Sequence, residues 1–197
     1  MELVNYIIEY STRLIGDNGI IIGFLLVFIE CFIPALPLSV FVALNVNAFG
    51  FVLGCIISWI ATCLGSFICY KMFYYIESKL TTKFLNKKII KKVKNGIDKF
   101  NKIKFSELVL VLTLPFTPSF LVNILSGITM MNSKKFVGAL LIGKFFSILF
   151  WGYIGKSLIE SVRDIYSLIY IFVTLIIAYL ISKVVSRKMN IEWGEVC

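Results

Sequence analysis

The chain has 197 residues, 59% of them hydrophobic, and a mean hydropathy of +0.91. Soluble domains are only about 45–50% apolar, so this composition excludes a purely soluble protein and predicts an integral membrane protein. Lysine and arginine total 20 against 11 acidic residues, and the complete absence of histidine excludes histidine-based acid–base relays and histidine-ligated metals.

Residues 1–18 predict a short amphipathic helix that lies on the membrane surface. A cleaved signal peptide is not expected, because Glu2 and Glu9 stand where a basic region would be needed and no small-residue cleavage site follows. The apolar side chains recur instead at helical spacing, at Leu3, Tyr6, Ile7, Tyr10 and Leu14.

Long uncharged stretches follow and predict several membrane segments. No charge occurs from Cys31 to Tyr70 or from Leu108 to Ser133, and Lys144 is the only charge from Phe136 to Gly155. Because a helix needs about 20 residues to cross the hydrocarbon, these stretches hold more than one crossing. The predicted spans are 49–76, 135–156 and 164–182.

All four prolines lie in two matched pairs, Pro34 with Pro37 and Pro115 with Pro118. Proline inside a helix removes a backbone hydrogen bond and costs about 3 kcal/mol. The apolar arms before the pairs, Ile20–Ile33 and Ser106–Leu114, are too short to cross a core of about 30 Å. Two hypotheses remain: two kinked spanning helices, or two re-entrant hairpins that return to the face they entered.

The distribution of basic residues favours the hairpins. With ten lysines of Lys79–Lys104 in the cytoplasm, two hairpins leave 15 basic residues inside and 3 outside, whereas two full crossings leave 13 and 5. The hairpin arrangement places the N-terminus outside and the C-terminus in the cytoplasm. One hairpin then enters from each face, so the two halves have inverted topology, as in many transporters.

The predicted fold is therefore an all-α polytopic membrane protein built from two inverted repeats. Each repeat has a re-entrant hairpin and a transmembrane helix, and a C-terminal transmembrane helix closes the membrane domain at 19–182. Within that domain we predict repeat one at 20–76, a basic amphipathic linker at 77–104, repeat two at 105–156 and the closing helix at 164–182. Residues 183–197 are predicted to form a cytoplasmic tail.

An ordered set of motifs resembles the VTT-domain (SNARE-associated Golgi protein, DedA-like) family. The first half carries Glu30-Cys-Phe-Ile-Pro34-Ala-Leu-Pro37, and the second carries Pro115-Phe-Thr-Pro118. The later motifs, Asn123 to Gly127, Gly143-Lys144 and Gly152 to Gly155, are similar to the branch related to yeast vacuolar and Golgi members rather than to DedA proper. The resemblance covers about 20–160.

This resemblance implies two facing re-entrant loops and lipid transport or scrambling, which in bacterial members concerns polyprenyl phosphate or phospholipid at the cytoplasmic membrane. Many members carry an arginine three residues before the proline of the second hairpin, where this chain has Leu112. The DedA branch also carries an arginine three residues after that proline, where this chain has Pro118. It further carries an acidic residue in the first hairpin, and this chain has none from Cys31 to Tyr70. Proton coupling is therefore not expected.

Glu30 and Lys144 are the strongest candidates for binding a substrate. A charge at mid-bilayer costs about 2.5–3.5 kcal/mol on insertion scales, so it needs a partner, water or a function. Lys144 could meet a lipid phosphate, and Glu30 an amine or a proton. The alternatives are a structural Glu–Lys pair, or a Lys144 side chain that snorkels to the interface.

Polar side chains near the prolines complete the candidate site. Helices that begin at Leu38 and Ser119 would present free N–H groups suited to a phosphate. The alternative is that these side chains only repair the broken backbone. The full set of candidate substrate-binding residues is Glu30, Pro34, Pro37, Asn45, Pro115, Pro118, Ser119, Asn123, Gly127 and Lys144.

Lys79–Lys104 predicts an amphipathic helix on the anionic inner leaflet, where each lysine contributes about 1 kcal/mol of membrane binding. Membrane lipids with anionic headgroups are the expected partners. Nucleic acid is not expected, because membrane segments flank the lysines on both sides and no set of base-stacking aromatic side chains accompanies them. The five cysteines lack CxxC spacing and predict reduced thiols.

The preferred function is lipid transport of the scramblase type, with headgroups of phospholipid or polyprenyl phosphate passing through a polar path between the hairpins. The alternative is a proton- or ion-coupled small-solute transporter that uses Glu30. A membrane-organising scaffold is a third possibility. No enzymatic activity, cofactor or metal is expected, because no nucleophile–base pair or metal-ligand set is visible.

Overall fold

The computed structural model describes residues 19–33, 37–80, 100, 103–160 and 165–188. The described residues are helical with no strand, which confirms the predicted all-α class. The predicted surface helix at 1–18, Pro34, most of the basic linker and the end of the tail lie outside the described residues. The helices are Gly19–Glu30 (α1), Leu38–Phe49 (α2), Phe51–Leu80 (α3), Phe105–Thr113 (α4), Ser119–Ile128 (α5), Ser133–Glu160 (α6) and Ile165–Lys188 (α7).

Two short helices precede a long one, twice along the chain. We call α1 and α2 the first helical pair, and α4 and α5 the second helical pair. The helix is interrupted at both proline pairs: α2 begins directly after Pro37, and α5 begins directly after Pro118. Each short helix has 9 to 12 residues, or about 14–18 Å, which is well short of a bilayer core.

The long helices α3 and α6 contain the segments Phe51–Ile76 and Ser133–Ser157, which are long and apolar enough to cross a membrane. They run antiparallel. Trp59 packs edge-on against Phe145 with ring centroids 6.1 Å apart, and Tyr70 stacks on Phe136 at 4.4 Å. Position 62 of α3 is therefore level with position 144 of α6.

The first helical pair lies along the half of α3 that begins at Phe51. A Cβ atom at Gly54 would lie 2.5 Å from the carbonyl oxygen of Asn45, so α2 and α3 are in backbone contact. A Cβ atom at Gly65 would lie 2.9 Å from the Cys31 sulfur, so the end of α1 reaches the middle of α3. The two helices of the pair also pack on each other.

The second helical pair lies along the other half of the long helices. A Cβ atom at Gly143 of α6 would lie 2.5 Å from the Cβ of Leu112, so the end of α4 reaches the middle of α6. A Cβ atom at Gly127 of α5 would lie 2.7 Å from the Tyr70 carbonyl oxygen. The second helix of each pair thus packs on the long helix of the opposite half: α2 on α6, and α5 on α3.

Candidate functional site

The interruptions of both helical pairs meet at the middle of the long helices. The Cys31 thiol, just past the end of α1, donates to the Thr62 carbonyl oxygen at 3.6 Å. Ser119, the first residue of α5, is hydrogen-bonded to Lys144. Since Thr62 and Lys144 lie at the same level, near the centres of the two apolar segments, the end of α1 and the start of α5 share that level.

Lys144 is buried in the interior. Its side chain is 1% exposed, and its ammonium donates a hydrogen bond to the Ser119 hydroxyl. This bond links α6 to the second helical pair. The ammonium therefore points into the protein and does not snorkel to an interface, which excludes one of the alternatives for this residue.

Glu30 is the last residue of α1 and is only 9% exposed. Its carboxylate accepts a weak hydrogen bond from the Cys31 thiol at 3.8 Å. Glu30 directly precedes Cys31, which contacts Thr62 at the level of Lys144. No ion pair joins the described residues Glu30 and Lys144, so the direct contact that a structural Glu–Lys pair requires is missing.

A row of hydroxyl side chains on α3 faces the same site. Ser58, Thr62 and Ser66 are fully buried and recur every four residues, so they lie on one face of the helix. The Ser66 hydroxyl contacts the Cys31 sulfur at 3.8 Å, whereas the Thr62 hydroxyl has no hydrogen-bond partner. The sequence analysis missed this row, although its four-residue spacing within an apolar segment was a usable signal.

The polar atoms of α5 are also buried without partners. Asn123 is fully buried, and neither its amide nitrogen nor its carbonyl oxygen has a hydrogen-bond partner. The Ser126 hydroxyl, one turn along the same face, is in the same state. Because α5 runs from the level of Lys144 to that of Tyr70, Asn123 lies level with Ser66. Buried polar atoms without partners are rare in native proteins, so this group is a candidate position for a polar ligand or for water.

We call this group the polar cluster. It combines one cation, one acid, one amide and three hydroxyls, contributed by four helices, and extends from the middle of the long helices along two turns of α5. Its members are Glu30, Thr62, Ser119, Asn123, Ser126 and Lys144.

The remaining candidate residues have mainly structural contacts. Asn45 donates to the Gly23 carbonyl oxygen at 3.2 Å and to the Ser58 hydroxyl at 2.9 Å, so its amide ties α2 to α1 and α3. Pro37 and Pro118 precede α2 and α5, and neither helix start has a side-chain cap. Pro115 lies in the turn between α4 and α5, Gly127 packs on the α3 backbone, and Pro34 is outside the described residues.

The polar cluster can bind an anionic group but has no ligand set for a metal. A lysine ammonium, an amide and hydroxyls all donate hydrogen bonds to phosphate oxygens. Among the described residues, no group of three or more histidine, cysteine, aspartate or glutamate side chains could hold a metal ion. The described cysteines, Cys31, Cys55, Cys63 and Cys69, are free thiols.

Comparison with known proteins places these features in a family. The profile of the VTT domain matches residues 33–157, a range that includes both proline pairs and every member of the polar cluster except Glu30. The chain is 29% identical over 178 residues to the uncharacterized membrane protein YhjE of Bacillus subtilis, an alignment that covers 90% of this chain and 84% of YhjE. No solved structure matches the chain.

Proposed function

Because this chain belongs to the VTT domain family, we propose that it is a lipid transporter of the scramblase type, which moves lipid headgroups between the two leaflets of a membrane. The observation that carries the proposal is the polar cluster. A buried lysine lies halfway along the apolar helix α6 and a buried glutamate ends α1, near an amide and hydroxyls that have no partners. Such groups are costly in an apolar interior unless they serve a substrate.

The proposed position in the bilayer has both helical pairs re-entrant, one from each face. Three observations support it: the short helices are too short to cross, they lie along opposite halves of α3 and α6, and their interruptions meet at the middle. The unpaired backbone at each interruption then faces the polar cluster and not lipid, as backbone in a hydrocarbon environment must.

The headgroup would cross by exchanging hydrogen bonds within the polar cluster. A phosphate would displace Ser119 from the Lys144 ammonium and accept further hydrogen bonds from the Asn123 amide and the Thr62 hydroxyl. Glu30, on the opposite side, would bind the amine of a zwitterionic headgroup. The acyl chains would stay in lipid, and no covalent bond would change.

We further propose the bacterial cytoplasmic membrane as the location, with the N-terminus outside and the C-terminus in the cytoplasm. The basis is the excess of basic residues on one side. Lys79–Lys104 would then lie against anionic lipid headgroups of the inner leaflet and raise their concentration near the polar cluster. Cysteine introduced at Asn132 would be labelled from the cytoplasmic side in this topology.

A reconstitution assay tests the function. Purified protein is placed in liposomes with a fluorescent phospholipid, and an impermeant quencher is added outside. Scrambling predicts quenching beyond the outer-leaflet fraction, with protein-free liposomes as the control. Quenching that stops at the outer-leaflet fraction, with insertion verified, would reject scrambling of that lipid. A labelled polyprenyl phosphate is the second substrate, and failure with both rejects the proposal.

Coupled transport of a small solute is the second candidate, because the Glu30 carboxyl is buried without an ion pair and could carry a proton. The Glu30→Gln variant separates the two candidates. Coupled transport predicts that this variant loses gradient-driven uptake, whereas scrambling, which needs no gradient, predicts that passive exchange of a lipid without an amine, such as polyprenyl phosphate, largely persists.

A further inference from the structure

An apolar groove runs along the junction of α3 and α6, and its exposed rim lies away from Thr62 and Lys144. Its volume is about 260 Å³. Cys55 and Ile148 form its floor and are 6% and 1% exposed, whereas Val52, Ile56 and Phe145 form its rim and are 69%, 46% and 46% exposed. The groove is therefore open along one side.

The lining presents hydrocarbon to any occupant. The indole N–H of Trp59, at one end of the groove, donates to the Leu141 carbonyl oxygen at 3.1 Å and is thereby satisfied within the protein. Because α3 and α6 carry the two segments long and apolar enough to cross a membrane, the molecules that surround the open side are membrane lipids. Burial of each additional methylene group there favours binding.

The length of the groove matches one leaflet. Its lining on α3 extends from Phe51, the first residue of the apolar segment, to Trp59 near the middle. Eight residues of helix correspond to about 12 Å, close to half of a hydrocarbon core of about 30 Å. A chain anchored at the membrane surface near Phe51 would therefore end where the groove ends.

The volume favours a single hydrocarbon chain over a helix. A helix with its side chains is about 10–12 Å wide, so even two turns would occupy roughly 850 Å³. All the empty space in and around the groove is only about 590 Å³. A transmembrane helix of a second copy could cover the groove but not enter it.

We propose that this groove binds one acyl chain of a membrane lipid from the leaflet at the Phe51 end of α3. This inference goes beyond headgroup transport and does not depend on it, because occupancy needs only that α3 and α6 lie in a bilayer.

Quenching of Trp59 fluorescence tests the proposal. The full-length W151F/W193F variant keeps Trp59 as its single tryptophan, since the chain has three. The protein in detergent is titrated with a phosphatidylcholine that carries a brominated acyl chain. A bound chain predicts a loss of Trp59 emission that saturates as the groove fills. Quenching that rises in proportion to the added lipid, without saturation, indicates random surface contact and overturns the proposal.

Two further substitutions separate the groove from the general lipid surface. Ile56→Phe places a ring in the groove and should abolish the saturable phase. Ile60→Phe, one turn along the same exposed face and outside the lining, should retain it. Equal quenching in both variants overturns the proposal. So does a saturable phase in the parent that disappears as the protein-to-lipid ratio rises, because a second copy then covers the groove.

Discussion

The two helical pairs occupy equivalent places in the chain but are held very differently. Asn45 ties the first helical pair to Gly23 and Ser58, and Gly54 brings α2 into backbone contact with α3. In the second helical pair, α4 and α5 make little contact with each other. That pair also makes backbone contacts with the long helices at Gly127 and Gly143, and its end is held by the hydrogen bond that the Tyr70 hydroxyl donates to the Met131 carbonyl oxygen at 2.6 Å.

The interruption of the second helical pair is joined to α6 by a single side-chain bond, from Lys144 to Ser119. The second pair also holds most of the buried polar atoms without partners, those of Thr117, Asn123 and Ser126. The polar side chain of Asn45 in the first helical pair is therefore satisfied within the protein. The side chains of Thr117, Asn123 and Ser126 in the second pair can still bind a ligand. Substitutions in the two pairs should therefore affect stability and transport in opposite ways.

Removal of the Lys144 charge should have the largest effect on transport. Lys144→Met keeps the length of the side chain but cannot bind a phosphate. Because a hydrogen bond to a charged group contributes about 1.5–3 kcal/mol, scrambling should fall by about 10- to 100-fold. The midpoint of thermal unfolding in detergent should change little. The variant loses the hydrogen bond to Ser119 but also loses the cost of burying an unpaired charge.

Lys183→Met is the matched control, since Lys183 lies on α7 with its ammonium 5.9 Å from the Tyr179 ring centroid. It should scramble lipid at the parent rate. Equal scrambling rates in the two variants would show that the Lys144 ammonium does not bind the headgroup. They would contradict a special role in transport for the start of α5.

Substitution of the glycine at the contact between α2 and α3 should have the largest effect on stability. Gly54→Ala puts a Cβ atom 2.5 Å from the Asn45 carbonyl oxygen, so the backbone must move, at a cost of about 1–3 kcal/mol. Gly138→Ala is the control, because its Cβ atom would meet only the Phe105 ring at 3.4 Å. Both gain helix propensity, so denaturant unfolding should separate them cleanly. A Gly54→Ala protein as stable as the Gly138→Ala protein would contradict a fixed first pair.

The two asparagines give the sharpest contrast between the pairs. Asn45→Leu removes two hydrogen bonds and should lower the free energy of unfolding by about 1–3 kcal/mol. Asn123→Leu removes none and buries an apolar side chain, so stability should hold or rise while scrambling falls. Paired measurements of unfolding and lipid exchange test both. The reverse assignment, with Asn123→Leu unfolding first, would refute it.

The sequence predicted the parts of this arrangement that depend on local chemistry. Proline and helix length predicted the starts of α2 and α5 at Leu38 and Ser119, and the cost of charge in an apolar segment singled out Lys144. Whether the short helices are re-entrant stays a prediction. The sequence did not distinguish Asn45 from Asn123, because both follow a proline in an apolar helix. Only the hydrogen-bond partners separate them. Asn45 donates to Gly23 and Ser58, whereas the side chain of Asn123 has no hydrogen-bond partner among the described residues.

Loss of the Tyr70 hydroxyl should have the smallest effect on transport. It tests whether the end of the second helical pair, near Met131, takes part in transport. Tyr70→Phe keeps the ring stacked on Phe136 but loses the bond to the Met131 carbonyl oxygen and the 3.0 Å contact with the Ser133 hydroxyl. The cost should be about 1 kcal/mol of unfolding free energy. Tyr70 lies eight residues, or about 12 Å, along α3 from Thr62, so scrambling should persist at close to the parent rate.

Tyr153→Phe is the matched control for this variant, since Tyr153 is 51% exposed on α6. It should change neither stability nor scrambling. If Tyr70→Phe instead reduced scrambling as strongly as Lys144→Met, the fixed end of the second pair would control transport. The unpaired polar groups of α5 would then have no special role in transport. The hydrogen bond of Tyr70, about 12 Å away, would matter as much as the charge of Lys144 that binds the headgroup.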